Sequence, residues 1–95
     1  MVGMIDNVAI REAAAADRAA IDALADLDSR DRPRGNVLVA EVDGSIVAAL
    51  SLDGGRVVAD PFRHTVELVA LLEARATQLR RRRRRRAPRL RPRLA

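Results

Sequence analysis

The 95-residue chain lacks several residue types, and each absence excludes a class of chemistry. It has no cysteine, which excludes disulfides, thiolate zinc sites and a cysteine nucleophile. It has no tyrosine or tryptophan and a single phenylalanine, Phe62, so Val, Leu, Ile and Ala must fill the core. No apolar run approaches the roughly 20 residues of a membrane span, and the first residues do not have the pattern of a signal peptide. We therefore expect a cytoplasmic protein.

Lysine is also absent, and arginine supplies all 18 basic residues. The charges are segregated: residues 1–79 carry 13 acidic side chains and eight arginines, whereas residues 80–95 carry ten arginines and no acid. Pro88 and Pro92 forbid a continuous helix through the second part. The division predicts one domain over 1–79 and a disordered, arginine-rich tail over 80–95.

Apolar runs and turn residues together predict the order of the strands and helices. Residues 7–11 predict a first strand, and the alanine-rich segment 13–29 predicts a helix. The Asp43-Gly44 pair lies between two apolar runs and suits a tight hairpin turn, because both central residues of that turn need positive φ. The strands of the resulting antiparallel meander are predicted at 36–42, 45–52 and 56–59.

A second helix is predicted after the meander. Either Asp60 caps it, with Pro61 at its first position, or Thr65 caps it slightly later. The expected buried face of this helix comprises Phe62, Val66, Val69, Leu72, Ala76 and Leu79, and that of the first helix Ala20, Ile21, Leu24 and Leu27. The predicted fold class is therefore α+β: a short first strand, a helix, a three-stranded antiparallel meander and a covering helix.

Three segments in this order resemble the N-terminal half of the GNAT superfamily of acetyltransferases. "VAIREAAAADRAAIDALADLD" is similar to the first strand and helix of that family, and "VLVAEVDGSIVAALSL" to its second and third strands. "VVADPFRHTVELVALL" is similar to the passage from its fourth strand into the acetyl-CoA-binding helix. The resemblance covers residues 7–79 and implies a truncated GNAT-like sheet.

In that family the turn carries an arginine or glutamine, a glycine three residues later, and a glycine or alanine two residues after that. The backbone N–H groups of the turn and the helix N-terminus bind the pyrophosphate of acetyl-CoA. The resemblance puts Arg63 on the arginine and implies that Arg63, His64 and Thr65 are the candidate cofactor-binding residues. The glycine positions fall on Val66 and Leu68, and a β-branched valine resists positive φ and crowds a phosphate. The alternative is an ordinary helix start with Arg63 as a surface charge.

The resemblance also implies missing parts, since the fifth strand of the family and its tyrosine general acid have no counterpart here. We therefore expect no catalytic residue and weak or absent acetyl-CoA binding. His64, the only histidine, lies in no triad spacing, and the carboxylates Asp17, Asp22, Asp26 and Asp28 are interpreted as a solvated acidic face rather than a metal site.

The arginine run is the strongest electrostatic feature of the chain. Clustered arginines attract nucleic-acid phosphates without reading sequence, and they also attract anionic membrane surfaces. The alternative is a low-complexity tail produced by drift in a GC-rich coding sequence. The candidate anion or nucleic-acid contacts are Arg80, Arg81, Arg82, Arg83, Arg84, Arg85 and Arg86.

Three functions remain open on sequence grounds. The first is a GNAT-related domain without catalytic activity, a remnant or a partner-binding domain whose open sheet edge would accept a second copy or another chain. The second is an acetyl-CoA-dependent N-acetyltransferase that is active only as an oligomer. The third is a small nucleic-acid-associated protein that acts through its tail.

Overall fold

The computed structural model describes residues 7–86, which form a four-stranded antiparallel sheet with an α-helix on each face. A short 3₁₀ turn precedes the first helix. The elements are β1 (Val8–Glu12), α1 (Arg18–Leu27), β2 (Val37–Val42), β3 (Ser45–Ser51), β4 (Val57–Ala59) and α2 (Val66–Arg86). The α+β class and the three-stranded meander are confirmed, and β1 adds a fourth strand beside β2.

The hairpin between β2 and β3 has the turn that its sequence predicts. Asp43 and Gly44 both have positive φ, +51° and +84°. This backbone twist matches that of the flanking strands, which is why an Asp-Gly pair is favoured there. The register shifts by one residue near Ala40 and Glu41, so that β3 carries a bulge. A bulge increases the local twist of the two strands.

Both faces of the sheet are apolar, and each face is covered by one helix. Successive strand side chains point to opposite faces. Val39, Ala49 and Val58 pack with α1, whereas Leu38, Leu50 and Leu52 pack with α2. Because both faces are buried, β2 and β3 are continuous apolar runs rather than alternating apolar and polar residues.

The packing of α1 corrects part of the predicted buried face. Ile21 and Leu24 are buried as expected, with 5% and 4% exposure. Ala20, however, is exposed and Leu27 is half-exposed, whereas Ala25 is buried. The residues of α1 that contact the sheet are therefore Ile21, Leu24 and Ala25, which lie on one face because they are three and four residues apart. Ala20 and Leu27 lie outside this face.

Of the two predicted starts of α2, the later one is confirmed. The helix begins at Val66, so that Thr65 immediately precedes it, whereas Asp60 and Pro61 belong to a separate turn. The helix also continues past Leu79 to Arg86. Disorder from residue 80 onward is therefore wrong for Arg80–Arg86, whereas the predicted tail from 87 to 95 lies outside the described residues.

The buried face of α2 is narrower than predicted. Leu72 and Ala76 are fully buried, and Val69 and Leu79 are partly buried against the sheet. Phe62 and Val66 are each 82% exposed, so the only aromatic side chain of the protein does not enter the core. The reason is the late helix start, because Phe62 precedes the helix and follows none of its periodicity.

Candidate functional site

The turn from β4 into α2 is built around Asp60. Its Oδ1 accepts a hydrogen bond from the backbone N–H of Phe62 at 2.8 Å, and its carbonyl oxygen accepts one from the N–H of Arg63 at 3.3 Å. This is the local pattern with which an aspartate closes a turn two residues ahead of itself. Asp60 therefore stabilises the turn and is not the helix cap.

The three candidate cofactor residues lie at this turn but differ in surroundings. Arg63 and His64 are exposed, and Arg63 Nε lies 3.8 Å from Asp60 Oδ2. Thr65 is only 9% exposed, and its carbonyl oxygen accepts the first helical hydrogen bond, from Val69. The neighbouring carboxylate partly neutralises the one guanidinium available to an incoming phosphate. Acetyl-CoA binding here stays a prediction.

A second charged cluster joins β1, the 3₁₀ turn and β2. Arg11 donates two hydrogen bonds to the carboxylate of Asp17, at 2.8 and 3.0 Å, and a third to Glu41 at 3.0 Å. Asp17 also accepts the backbone N–H of Ala14 at 2.6 Å. These bonds fix the passage from β1 into α1, so the cluster is structural.

The electrostatics of this cluster follow from its geometry. The hydrogen bond from Arg11, assisted by that from Ala14, lowers the pKa of Asp17 from 3.8 to about 2. The same contacts with Asp17 and Glu41 raise the pKa of Arg11. Charge-assisted, bidentate contacts between guanidinium and carboxylate favour the charged form of both partners.

The sequence suggested a solvated acidic face on α1; this holds for Asp26, which is exposed, but the other three carboxylates have partners. Asp17 binds Arg11, and Asp22 accepts a hydrogen bond from Arg32 at 2.9 Å. Asp28 accepts the backbone N–H of Ala59 in the edge strand β4. Within the described residues, no group of three or more His, Cys, Asp or Glu side chains could hold a metal ion.

The arginine end of α2, Arg80–Arg86, is attached to the domain along one side. Arg80 Nε donates to the carbonyl oxygen of Leu52 at 3.0 Å, and Arg83 lies 4.0 Å from Asp53 in the turn between β3 and β4. Arg81, Arg82 and Arg84 are exposed. A helix turns about 100° per residue, so these three side chains project from the helix at different angles.

An open cleft of about 670 Å³ lies beside this end of the helix. Arg80 and Arg83 place the arginine end beside Leu52 and Asp53 in the turn that precedes β4, and Asp53 also lines the cleft. We call it the Ser51 cleft. Its charged or polar lining residues are Asp31, Arg32, Arg34, Ser51, Asp53 and Arg56. Sequence reasoning missed the body arginines of this cleft, because they are scattered between 32 and 56 and carry no local motif.

A neighbouring cleft of about 650 Å³ shares Arg32 and Arg34 and extends to Glu12 and Arg18 at the start of α1. Neither cleft is lined by Arg63, His64 or Thr65. The predicted cofactor turn and the arginine end lie at opposite ends of α2 and form two separate candidate sites.

Comparison with models of known protein families, with curated proteins and with solved structures found no match. No helix within residues 7–86 is long and apolar enough to cross a membrane.

Proposed function

We propose that this chain is a binding protein without catalytic activity, which holds duplex DNA through the arginine end of α2 independently of base sequence. The observation that carries the proposal is that Arg80–Arg86 belong to a helix that is anchored to the sheet. Clustered guanidinium groups gain affinity for a phosphate backbone by releasing its counterions. The anchored helix fixes the backbone of this segment before binding, so its ordering costs no entropy when DNA binds.

The dimensions favour B-form DNA over duplex RNA. Seven helical residues span roughly 10 Å, and an α-helix with its side chains is about 10–12 Å wide. The major groove of B-DNA is about 12 Å wide and admits a helix, whereas the major groove of A-form RNA is deep and narrow. Phosphates line both walls of the groove, which suits a helix whose exposed Arg81, Arg82 and Arg84 project at different angles.

A membrane surface fits this segment less well. Helices that lie on a bilayer bury an apolar face and keep their charges on the other. Every position from Arg80 to Arg86 is arginine, so this segment has no apolar face to insert. Nucleic acid, which is contacted through phosphates alone, requires none.

A second candidate follows from the resemblance to the GNAT superfamily. The observation that favours it is that Arg63 lies between the last strand and the N-terminus of α2, where that family holds pyrophosphate. We propose that the chain is related to that family in fold but does not transfer acetyl groups. Asp60 competes with a phosphate for Arg63, and Val66 and Leu68 stand at the positions where the family has glycine. Activity restricted to an oligomer would need a second chain to pair with the edge strand β4.

Fluorescence anisotropy of a labelled random-sequence DNA duplex tests the first proposal. We expect the full chain to bind and its affinity to fall steeply with salt. The variant Arg81→Gln/Arg82→Gln/Arg84→Gln removes three exposed charges from the full chain. It should reduce the slope of log K against log[salt] by about 2.7, because each neutralised phosphate contributes about 0.9.

The control is Arg30→Gln/Arg75→Gln, which removes two charges outside the arginine end, Arg30 exposed and Arg75 half-buried. It should leave the slope unchanged. Absence of duplex binding at about 50 mM salt, an equal loss in both variants, or stronger binding to anionic phosphatidylserine vesicles than to DNA would each overturn the proposal.

A further inference from the structure

The Ser51 cleft is held in shape by hydrogen bonds between its two loops. Ser51 is 3% exposed; its Oγ donates to the carbonyl oxygen of Arg34 at 2.8 Å and accepts the N–H of Gly54 at 3.1 Å. Asp53 accepts the N–H of Asn36 at 3.1 Å. Gly35 has φ +75°, and a Cβ there would overlap the Asp53 carboxylate, so only glycine allows the loops to approach so closely.

The cationic groups of the cleft differ in how firmly they are held. Arg32 is bound to Asp22 at 2.9 Å, which fixes it to α1. Arg34 is exposed, and Arg56 lies 4.0 Å from Asp31, whose side chain is 90% exposed. An ion pair this long and this exposed contributes little to stability. Arg34 and Arg56 are therefore the two groups that a phosphate would recruit.

The cleft and the arginine end of α2 meet at a shared turn. Arg80 binds Leu52, and Arg83 lies beside Asp53, which also lines the cleft. The carboxylate of Asp53 would repel a phosphate, but it is shared between Arg83 and the N–H of Asn36. The two basic surfaces are therefore adjacent, and a single nucleic-acid backbone would meet both.

We propose that the Ser51 cleft is a second phosphate-contact site, in which Arg34 and Arg56 bind the backbone of the same DNA duplex that holds the arginine end of α2. This inference rests on the proposed function and extends its binding surface from the helix onto the loops of the domain. Hydrogen bonds from Ser51 to the carbonyl oxygens of Arg34 and Arg56 fix the backbone from which the two side chains project, so no loop has to be ordered on binding.

The test is the salt dependence of duplex binding by the full-length variant Arg34→Gln/Arg56→Gln. Two lost phosphate contacts should lower the slope of log K against log[salt] by about 2 and weaken binding equally for duplexes of different sequence. Circular dichroism should be unchanged, because glutamine keeps the backbone contacts of Arg34. The control Arg30→Gln/Arg75→Gln removes two charges that do not line the cleft and should keep the parental slope.

A second variant, Asp31→Asn, changes affinity in the opposite direction. It frees Arg56 from its loose partner and should strengthen DNA binding by about two- to fivefold. If Arg34→Gln/Arg56→Gln keeps the parental slope while the Arg81/Arg82/Arg84 variant loses it, the cleft makes no contact and the inference is wrong, although the proposed function stands. If the parent protein binds no duplex, both fail.

Discussion

The carboxylate of Asp28 accepts a hydrogen bond, 3.0 Å long, from the backbone N–H of Ala59, 31 residues away. The next amide, that of Asp60, donates to the carbonyl oxygen of Val47 in β3. Successive N–H groups of a strand point to opposite sides, so the N–H of Ala59 points away from β3, to the open side of the edge strand. Asp28, which follows the last residue of α1, thus accepts a hydrogen bond that the edge strand β4 could otherwise donate to another chain. A second chain that paired with β4 would have to displace it.

Substitution of Asp28 tests this cover of the edge. Asp28→Ala should lower the free energy of unfolding by about 1 kcal/mol and increase self-association at high concentration. Asp28→Asn keeps an oxygen acceptor and should resemble the parent in both respects. Urea unfolding and light scattering measure the two effects. Equal scattering by the Ala variant and the parent would show that Asp28 does not guard the edge.

The Arg11–Asp17 contact predicts a specific acid sensitivity. The pKa of Asp17 is about 2 in the folded protein, below its ordinary 3.8. The carboxylate of Asp17 therefore binds a proton less readily in the folded state than in the unfolded chain. Its contribution to the free energy of unfolding is fully present above the ordinary pKa of 3.8 and is lost as the pH falls toward 2.

Urea midpoints measured from about pH 5 down to about pH 2 should fall more steeply for the parent than for Asp17→Asn. The matched control is Asp26→Asn, on the exposed side of α1. Its pH profile should follow that of the parent. Parallel profiles for the Asp17→Asn variant and the parent would contradict the assignment.

The hairpin turn predicts that substitutions at two glycines, Gly44 and Gly54, differ in their effect on stability. Gly44→Val should destabilise the protein by roughly 1–2 kcal/mol, because a β-branched residue at positive φ is strained. A Cβ at Gly44 would meet no atom within 4 Å, so this cost comes from the backbone alone. Gly54→Ala is the control, since Gly54 does not have positive φ. Thermal unfolding should separate the two variants, and equal midpoints for Gly44→Val and the parent would rule out the turn.

Acetyl-CoA binding at the β4–α2 turn should be weak. The few charge-assisted hydrogen bonds that Arg63 and the helix N-terminus offer must first offset the entropy of association. We expect a dissociation constant near millimolar or weaker, about −4 kcal/mol. Isothermal titration of the full chain measures it, and Val66→Gly/Leu68→Gly should not rescue activity. Saturable micromolar binding that Arg63→Ala weakens would instead favour the enzyme.

The sequence was sufficient to predict the elements whose signals are local. The Asp43-Gly44 turn and the apolar runs beside it predicted β2 and β3 to within one residue, because a hairpin depends on φ preferences and on neighbours in the chain. The α+β class followed from the order of these elements. Of the two starts that the sequence allowed for α2, the one at Thr65 is confirmed and the one at Asp60 is wrong, because Asp60 and Pro61 suit a turn as well as a helix cap.

Only the tertiary structure determined which charged side chains and backbone groups contact one another. The sequence of the chain by itself determined the hairpin, the strand order, the absence of thiol chemistry and the excess of arginine after Leu79. It did not determine that Asp28 covers Ala59, that Arg80 binds Leu52, or that Arg34 and Arg56 line one cleft. Asp28 and Ala59 are 31 residues apart, Arg80 and Leu52 are 28 apart, and Arg34 and Arg56 lie on different loops. Their meeting depends on how the helices pack on the sheet, since packing is set by the summed burial of apolar side chains and not by any local pattern.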